Sequence, residues 1–420
     1  MNAECGSQVP YKVGREDREW IAASGWDFVS PNVILAPRFS IEKGSTGVAG
    51  LVAEGNSRPE CLGYARCRVR LTGGAWYRLA VRIRFQDLTS VESHAVTGLY
   101  GEGFSGGVLS LKVEGDQAWG EEYFAGPDTD LEAELRLYFR FSAGGRVRWE
   151  HVGLQECDAA PPRLVTIATH HGPPEGMATM AYWERWLDVA GKSGSNLSLL
   201  PEAFNDLNPD EAEAADGPAS MLLSAKARQW GMLTCGTRYE RRGDLVYNTA
   251  RLFGREGELL GIYDKQVPFE PELDDGVSPG RSCEVFPTLS GRIAIMTCYD
   301  GWFPEVAQSL ARKGAEIVLF PNVGYYVSLG AARAADNGVF LVASSLNGPA
   351  AIWDSSGARA GEIESDATRF SPTSILESRL SLVDGMLMAT IDLTRKYSPH
   401  WRGGPLLSAP SGRAIRWNAL

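Results

Sequence analysis

The stretch IAIMTCYDGWFP, residues 293 to 304, is a short apolar run that ends abruptly on a cysteine. Such a run is typical of a buried strand. Cys298 lies at its tip, where polar and aromatic residues begin. A lone cysteine is most often a buried packing residue, so whether this one carries chemistry depends on the segments around it.

Strand-like and helix-like segments alternate on the amino-terminal side of this stretch. LVTIAT (164 to 169) and NLSLLPE (196 to 202) are compact apolar strands, and ATMAYWERWLDVAGKSG (178 to 194) between them has the length and pattern of a helix closed by its last glycine. The order repeats in SMLLSAKARQWG (220 to 231) and MLTCGTRYE (232 to 240). This alternation predicts an α/β layered domain.

A different pattern, with the two-residue period of half-buried strands, runs from about residue 30 to 157. In WYRLAVRIRF (76 to 85) apolar side chains alternate with arginines. In AELRLYFRF (133 to 141) the residues expected on one buried face are Leu135, Leu137, Phe139 and Phe141. Glycine-rich breaks separate the runs, which predicts an all-β antiparallel, jelly-roll-like sandwich.

The pattern changes at DAAPPR (158 to 163), where the paired prolines indicate a linker. We therefore expect a β-sandwich accessory domain over residues 1–161, an α/β catalytic domain over 162–397 and a C-terminal extension over 398–420. A chain of 420 residues is long for a single core, so two domains also agree with its length.

Composition argues against several classes of function. The formal net charge of -11 opposes non-specific attraction to nucleic acid or an anionic membrane, so we expect neither as a partner. The opening has no apolar run long enough for a signal peptide, and no stretch approaches the roughly 18 apolar residues of a spanning helix. Seven scattered cysteines without CxxC pairs favour free thiols in a reducing compartment, hence a cytoplasmic protein.

Three polar side chains come directly after strand-like stretches. Glu202 ends NLSLLPE, Lys265 follows LLGIYD, and Cys298 ends IAIMTC. Chemistry in open α/β folds gathers at the carboxyl ends of strands, so these three could converge on one pocket. Glu202 would take the thiol proton as a general base. Lys265 and the backbone N–H of Tyr299 would stabilise an oxyanion.

These residues resemble the nitrilase, or carbon-nitrogen hydrolase, superfamily, whose members share an αββα sandwich and a Glu-Lys-Cys catalytic set. The resemblance extends from LVTIATHH at 164 to MATIDL at 393. It places the general base at Glu202 in LLPEAF, the lysine at Lys265 in YDKQVPFEPE and the nucleophile at Cys298 in TCYDGWFPE. It implies an αββα catalytic domain that needs neither metal nor cofactor.

Further positions follow from the same resemblance. Many members place a second glutamate near the lysine, for which Glu272 is the better spaced candidate and Glu270 the runner-up. In RAADNGVFLVASSLNG, Arg333 and either Asp336 or Asn337 are expected to hold the pocket wall rather than react. Members commonly assemble, which implies a homodimer or higher homo-oligomer.

The residues around the cysteine narrow the expected chemistry. CYDxxFPE looks like amidase and carbamoylase members, whereas nitrile-cleaving members more often carry CWE. This implies hydrolysis of a carboxamide or N-carbamoyl group of a small molecule, with release of ammonia or an amine. Several carboxylate-recognising relatives have an arginine where this sequence has Gly301 and Trp302. Trp302, Tyr325 and Tyr326 instead suggest an aromatic-lined pocket for a bulkier acyl part.

Other functions stay open at this point. Nitrile cleavage, acyl transfer through the same thioester, and a non-catalytic binding or scaffold protein are alternatives. The pair His170 and His171 follows a strand and is expected to shape the pocket rim rather than bind a metal. Candidates for a carbohydrate-stacking platform in the first half, against the commoner role of filling the core, are Trp76, Tyr77, Trp119, Tyr123 and Trp149.

Overall fold

The structure is a computed structural model. It describes residues 10–16, 20–21, 25–43, 47, 49–108, 111–159, 161–172, 179–359, 375–376 and 385–394. The chain divides into two compact units between Pro161 and Pro162. The expected C-terminal extension, 398–420, lies outside the described residues.

The first unit consists almost entirely of strands. In chain order they are β1 (Tyr11–Lys12), β2 (Asp27–Val29), β3 (Arg38–Lys43), β4 (Ala49–Glu54), β5 (Leu62–Leu71), β6 (Trp76–Gln86), β7 (Ala95–Gly101), β8 (Phe104–Gly107), β9 (Lys112–Glu114), β10 (Gln117–Ala125), β11 (Leu131–Arg140) and β12 (Arg146–Cys157). A helical turn, α1 (Val91–His94), and a 3-10 turn at Val33–Leu35 lie between them.

These strands form two six-stranded sheets around one core. One sheet has the order β1-β5-β11-β7-β8, with β2 also paired to β5, and the other has the order β3-β4-β12-β6-β10-β9. Apolar side chains from both sheets join in a single buried cluster. The predicted all-β sandwich is confirmed, although the short β1 pairs parallel with β5.

The alternating pattern fixes the faces correctly except at one strand end. Tyr77 and Leu79 of β6 are fully buried while Arg82 on the opposite face is exposed. The prediction that Phe141 is buried is wrong, because β11 ends at Arg140 and Phe141 has a φ of 55°. This left-handed residue breaks the alternation and leaves the Phe141 ring 41% exposed.

The second unit alternates strands and helices. Its strands are β13 (Leu164–His170), β14 (Leu197–Leu199), β15 (Leu233–Arg242), β16 (Leu245–Phe253), β17 (Leu259–Asp264), β18 (Val285–Thr288), β19 (Gly291–Ile295), β20 (Ile317–Asn322), β21 (Phe340–Ser345), β22 (Ala351–Trp353), β23 (Ile375–Leu376) and β24 (Met386–Asp392). Its helices are α2 (Met180–Lys192), α3 (Pro218–Trp230), α4 (Glu270–Asp274), α5 (Pro304–Arg312) and α6 (Val327–Asn337), with 3-10 turns at Pro209–Glu211 and Cys298–Trp302.

Two sheets form the middle layers of this unit. The order β17-β16-β15-β14-β13-β24-β23 makes one sheet and β18-β19-β20-β21-β22 the other. Apolar residues of both sheets belong to one core cluster, which also includes α5 and α6. Helices α2 and α3 pack with the outer face of the first sheet in a separate cluster. The predicted αββα sandwich is confirmed.

The strand directions bring several carboxyl ends to one edge. Strands β13, β14 and β15 are mutually parallel, and so are β19, β20 and β21. Strand β17 runs parallel to β15 because both are antiparallel to β16 between them. The segments after β14, β17 and β19 can therefore meet.

Two further observations bear on the sequence-based expectations. None of the helices that the structure describes has the length and apolarity needed to cross a membrane. The cysteines within the described residues are all unpaired thiols, as expected from their scattered spacing. The compartment of the protein stays a prediction.

Candidate active site

A buried cluster of hydrogen-bonded charges forms where β14 and β17 end. Glu202 follows β14 and Lys265 follows β17, and each is only 2% exposed. Lys265 Nζ donates to Glu202 Oε1 at 2.8 Å and to Glu272 Oε2 at 2.5 Å. The structure thus brings together two carboxylates and one ammonium group from three separate segments.

The second glutamate of this cluster lies on the short helix α4. Glu272 is 8% exposed, and its Oε2 also accepts a hydrogen bond from the Phe269 N–H at 2.7 Å. The Glu270 side chain is exposed. Of the two candidates left open by spacing, Glu272 is the one in contact with Lys265.

An asparagine that sequence reasoning missed lies between the two carboxylates. Asn248 on β16 is fully buried, and its Nδ2 donates to Glu202 Oε1 at 2.8 Å and to Glu272 Oε1 at 2.8 Å. Tyr239 on β15 adds a 3.2 Å hydrogen bond to Glu272 Oε1. The signal that could have found Asn248 is a polar residue in phase with Val246, Ala250 and Leu252 on an inward face.

Cys298 opens the 3-10 turn that follows β19. Its φ of 45° lies in the left-handed region, as does the φ of 44° at Ala203 directly after Glu202. Non-glycine residues adopt this conformation at a cost, and such residues cluster at functional sites. The Cys298 thiol makes a weak 3.7 Å contact with the Gly324 carbonyl oxygen.

The electrostatics couple the thiol to the charged cluster. Burial raises the pKa of the Cys298 thiol, and the Glu202 charge and its hydrogen bond to the thiol raise that pKa further. Lys265 and the Val323 N–H oppose this shift. Burial alone would lower the pKa of Lys265, but the charges of Glu202 and Glu272 outweigh it and raise the pKa. These effects make the thiol harder to ionise and the lysine ammonium harder to deprotonate.

Comparison with known proteins identifies the family. The family model of the carbon-nitrogen hydrolases matches residues 164–392, more than half of the chain. The chain belongs to the carbon-nitrogen hydrolase family.

Several named proteins are similar to this carbon-nitrogen hydrolase. Omega-amidase NIT2-B of Xenopus laevis is 32% identical over 177 residues, which cover 37% of this chain and 64% of that protein. Omega-amidase NIT2 of Danio rerio is 30% identical over 179 residues, with coverages of 38% and 64%. The chain thus spans 64% of the length of these curated relatives.

Solved structures also align with this family member. An amidase from Nesterenkonia sp. is 21% identical with a TM-score of 0.44, and the match covers 54% of this chain and 89% of that chain. Nit3 of Saccharomyces cerevisiae is 22% identical with a TM-score of 0.44, and the match covers 55% of this chain and 90% of that chain.

Asp300 ties the cysteine turn to the segment after β17. The fully buried carboxylate accepts hydrogen bonds from Tyr263 OH at 2.6 Å and Thr297 N at 2.8 Å through Oδ2. Its Oδ1 accepts from Val267 N at 2.9 Å. Burial raises the pKa of Asp300 to about 6 against the opposing effect of these hydrogen bonds. The carboxylate therefore fixes Cys298 relative to the lysine-bearing segment.

The residues expected to hold the pocket wall contact the same turn. Arg333 on α6 is 7% exposed, and its Nε donates to the Gly301 carbonyl oxygen at 3.0 Å. Asp336 lies 3.7 Å from the Arg333 guanidinium, and Asn337 Nδ2 donates to the Arg333 carbonyl oxygen at 2.9 Å. Arg333 is thus in contact with the cysteine turn, and both neighbours contact Arg333.

Two of the three predicted pocket aromatics are solvent-exposed. Trp302 is 50% exposed and Tyr326 is 64% exposed, and their rings meet edge to face with centroids 5.4 Å apart. Tyr325 is more buried, and its hydroxyl donates to the Pro349 carbonyl oxygen at 2.8 Å. Trp302 ends the cysteine turn, and Tyr326 directly precedes α6.

The histidine pair differs from its expected place at a pocket rim. His170 is fully buried, with Nε2 2.8 Å from Ser198 Oγ, and burial lowers its pKa to about 3. The rim prediction is therefore wrong for His170, since its ring has no exposed surface and lies against Ser198. The neighbouring His171 Nε2 accepts a 3.0 Å hydrogen bond from Gly385 N.

The aromatic residues of the first unit separate into two groups. Tyr77 and Trp149 are fully buried in the sandwich core, so their candidacy as a stacking platform is wrong. Trp119 and Tyr123 on β10 pair with Arg82 and Arg78 on the outer face of the sheet. Trp76 shares that outer face.

Proposed function

We propose that this protein hydrolyses a small non-peptide amide, either a carboxamide or an N-carbamoyl compound, through a thioester on Cys298. The observation that carries the proposal is the buried Glu202–Lys265–Glu272 cluster beside a thiol on a strained turn. The similarity to omega-amidases over part of the chain supports an amide rather than a nitrile.

In the first half-reaction, Cys298 Sγ attacks the amide carbonyl carbon while Glu202 accepts the thiol proton. The carbonyl oxygen becomes an oxyanion. Lys265 Nζ donates two of its three hydrogens to glutamates, which leaves one for this oxygen, and the Tyr299 N–H is the proposed second donor. Collapse expels ammonia or an amine as Glu202 returns the proton.

In the second half-reaction, water attacks the thioester carbon. Glu202 accepts a proton from this water, and the C–S bond breaks to release the carboxylic or carbamic acid and restore the thiol. Glu272 accepts hydrogen bonds from Lys265 Nζ and Asn248 Nδ2, so we assign Glu272 to holding Lys265 rather than to proton transfer.

The exposed aromatic pair supports a bulkier, flat acyl group. Trp302 and Tyr326 can contact an apolar ring through both face and edge, whereas no arginine stands at residues 301 and 302. We expect aryl or long-chain amides to exceed acetamide in kcat/KM by about tenfold or more, from roughly 1 to 2 kcal/mol of additional burial. Trp302→Ala should reduce that ratio without abolishing turnover.

The decisive experiment is a screen for ammonia release. Primary amides, N-carbamoyl compounds and nitriles are incubated with the protein, and products and any adduct on Cys298 are identified by mass spectrometry. Preference for nitriles would replace amide hydrolysis with nitrilase chemistry, and product transfer to added amines would indicate acyl transfer. If no compound is turned over and no adduct forms, a binding or scaffold role is the better interpretation.

We further propose that residues 1–161 and 162–397 are separate domains. The first has its own buried core, large enough to fold alone. A fragment of residues 1–161 should be all-β by circular dichroism. A fragment that begins at Arg163 should lose kcat if the first domain caps the site, and it should contain fewer subunits in solution if that domain builds a homo-oligomer. If the first domain instead recruits the natural substrate, the fragment should keep kcat and lose only affinity for that substrate.

A carbohydrate ligand for the first domain is a secondary proposal. It is supported by Trp119 and Tyr123 on one face of β10, each beside an arginine of β6. Trp119→Ala should abolish retention on immobilised polysaccharides in affinity electrophoresis. Phe28→Ala, at an exposed aromatic residue on another strand, is the control and should leave retention unchanged.

A further inference from the structure

We propose that Asn248 is a positioning residue that selects Oε2 of Glu202 as the proton acceptor for Cys298. The inference rests on the proposed function and goes further, because it assigns the proton to one atom and names the residue that dictates this choice. The residue lies in mid-strand on β16 rather than at a strand end.

The first step of the argument concerns Oε1 of Glu202. This oxygen accepts one hydrogen bond from Lys265 Nζ and one from Asn248 Nδ2, both at 2.8 Å. A carboxylate oxygen has two lone-pair directions. Oε1 is therefore occupied by two donors and is poorly placed to accept a thiol proton.

The second step concerns Oε2. It accepts a 2.9 Å hydrogen bond from the Val323 N–H, and the same N–H also interacts with the Cys298 sulfur. A donor that contacts both atoms brings Oε2 and the sulfur to one side of the carboxylate. Proton transfer from the thiol then breaks the S–H bond and forms an O–H bond at Oε2, while the Oε1 contacts stay in place.

The third step explains why the side-chain amide of Asn248 keeps one orientation. Its Oδ1 is buried and has no hydrogen-bond partner within the described part of the chain. Rotation of the amide by 180° would place that oxygen against Glu202 Oε1 and Glu272 Oε1, and acceptors repel each other. The two carboxylates thus hold the amide in one orientation, and the amide in turn holds both carboxylates.

The backbone of the same residue fixes the lysine. The Asn248 carbonyl oxygen accepts a 2.9 Å hydrogen bond from the Lys265 N–H. One residue therefore contacts Glu202, Glu272 and Lys265, and it does so without adding charge.

Several titratable groups surround Glu202, and each of them could also change a pH profile, so the test needs a control. They are Lys265 after β17, Glu272 on α4, Cys298 on the turn after β19 and Tyr239 on β15. Loss of the Asn248 donor removes a hydrogen bond that stabilises the ionised form of Glu202. In a profile of reaction rate against pH, the acid limb is the low-pH side on which the rate falls. For any reaction in which Glu202 accepts the thiol proton, this limb should move to higher pH.

The test measures iodoacetamide labelling of Cys298 against pH by peptide mass spectrometry, which requires no knowledge of the substrate. Asn248→Ala should shift the acid limb upward by about one pH unit, as expected for one charge-assisted hydrogen bond, and reduce kcat/KM about 100-fold. Asn248→Leu nearly keeps the side-chain volume but has neither donor nor charge, so it tests the same shift if the alanine variant does not fold. Tyr239→Phe, which removes a contact to Glu272 alone, should leave the limb in place.

The outcomes separate this proposal from the proposed function. An unshifted limb in folded Asn248→Ala and Asn248→Leu overturns the role of Asn248. The Glu202 mechanism itself is overturned if the labelling rate of the unmodified protein shows no acid limb, or if Glu202→Gln leaves that limb unchanged. A lower kcat/KM with an unmoved limb assigns Asn248 a purely structural role and also refutes the proposal.

Discussion

Strands β15 and β16 carry a buried cluster of charges on each of their two faces. On one face, Asn248 contacts the carboxylates of the candidate active site. On the other, Glu240 is 1% exposed and accepts hydrogen bonds from Arg238 at 2.6 Å, Arg251 at 2.8 Å and Arg242 at 2.7 Å. Both clusters are buried and hydrogen-bonded, so burial alone does not distinguish a reactive carboxylate from a structural one.

The two carboxylates differ in the hydrogen-bond partners of their oxygens. Arginines contact both oxygens of Glu240, and although burial opposes ionisation, their hydrogen bonds lower the pKa of Glu240 to about 2. Glu202 instead has the Cys298 thiol, a weak acid whose pKa is raised by burial, among its partners. A carboxylate held by guanidinium groups is a fixed charge, whereas one beside a weak acid can accept a proton.

The largest effect should come from Cys298, which separates chemistry from stability completely. Cys298→Ala removes the nucleophile, so we expect kcat to fall by about 10⁴-fold or more. The melting temperature should change little, because the side chain is small and only partly buried. Turnover of the screened amide and differential scanning calorimetry check both parts, and near-normal turnover would end the thioester mechanism.

Glu202→Gln should be next in size and should act mainly on kcat. The amide keeps the shape but cannot accept the thiol proton, so we expect a loss of about 10²- to 10⁴-fold. Lys265→Met should lose a similar factor, but it also leaves two buried carboxylates without their cation and should lower stability. If Lys265→Met retained full kcat/KM, another residue would have to stabilise the oxyanion.

Glu240→Gln should reverse this pattern. It leaves buried arginines without their counter-charge, so we expect the free energy of unfolding to drop by about 3 to 5 kcal/mol while kcat of the folded protein is kept. Because the pKa of Glu240 is depressed to about 2, its stabilisation is present above the unfolded pKa near 4.5 and is lost as pH falls toward 2. Urea unfolding at pH 7 and pH 3 should show a smaller pH dependence in the variant.

Arg242→Lys should have the smallest effect. The Arg242 side chain is 34% exposed and makes a two-pronged contact with Asp264, at 2.8 Å to each oxygen. A lysine keeps the charge and loses the fork, which at a partly exposed site should cost less than about 1 kcal/mol. A drop in kcat from this substitution would show that the two faces are coupled and would weaken the distinction between them.

The strand-end residues were predictable from sequence, whereas their support was not. Glu202, Lys265 and Cys298 each interrupt an apolar run at its carboxyl end, which is a local signal. Asn248 is a polar residue in phase with Val246, Ala250 and Leu252, but the strand is buried on both faces, so alternation does not show which face lines the site. Its role depends on contacts with residues 46 and 24 positions away.

Three other positions depend on local geometry that the sequence pattern does not show. The choice between Glu270 and the preferred Glu272 depends on the direction of a short helix, which spacing alone does not determine. The sequence places Phe141 in phase with the buried residues of β11, but its own left-handed backbone conformation at the strand end turns its side chain out of that phase. His170 was expected at a rim because it ends a strand, but it points into the packed interior.

The elevated pKa of the Cys298 thiol has a consequence for oxidative damage. Peroxides attack thiolates and form sulfenic acid, and a thiol that stays protonated reacts slowly. The sulfur becomes a strong nucleophile when Glu202 takes the proton during attack on a carbon electrophile. We therefore expect the resting protein to survive hydrogen peroxide that inactivates low-pKa cysteine enzymes, so that the same carboxylate that assists the reaction also shields its nucleophile between turnovers.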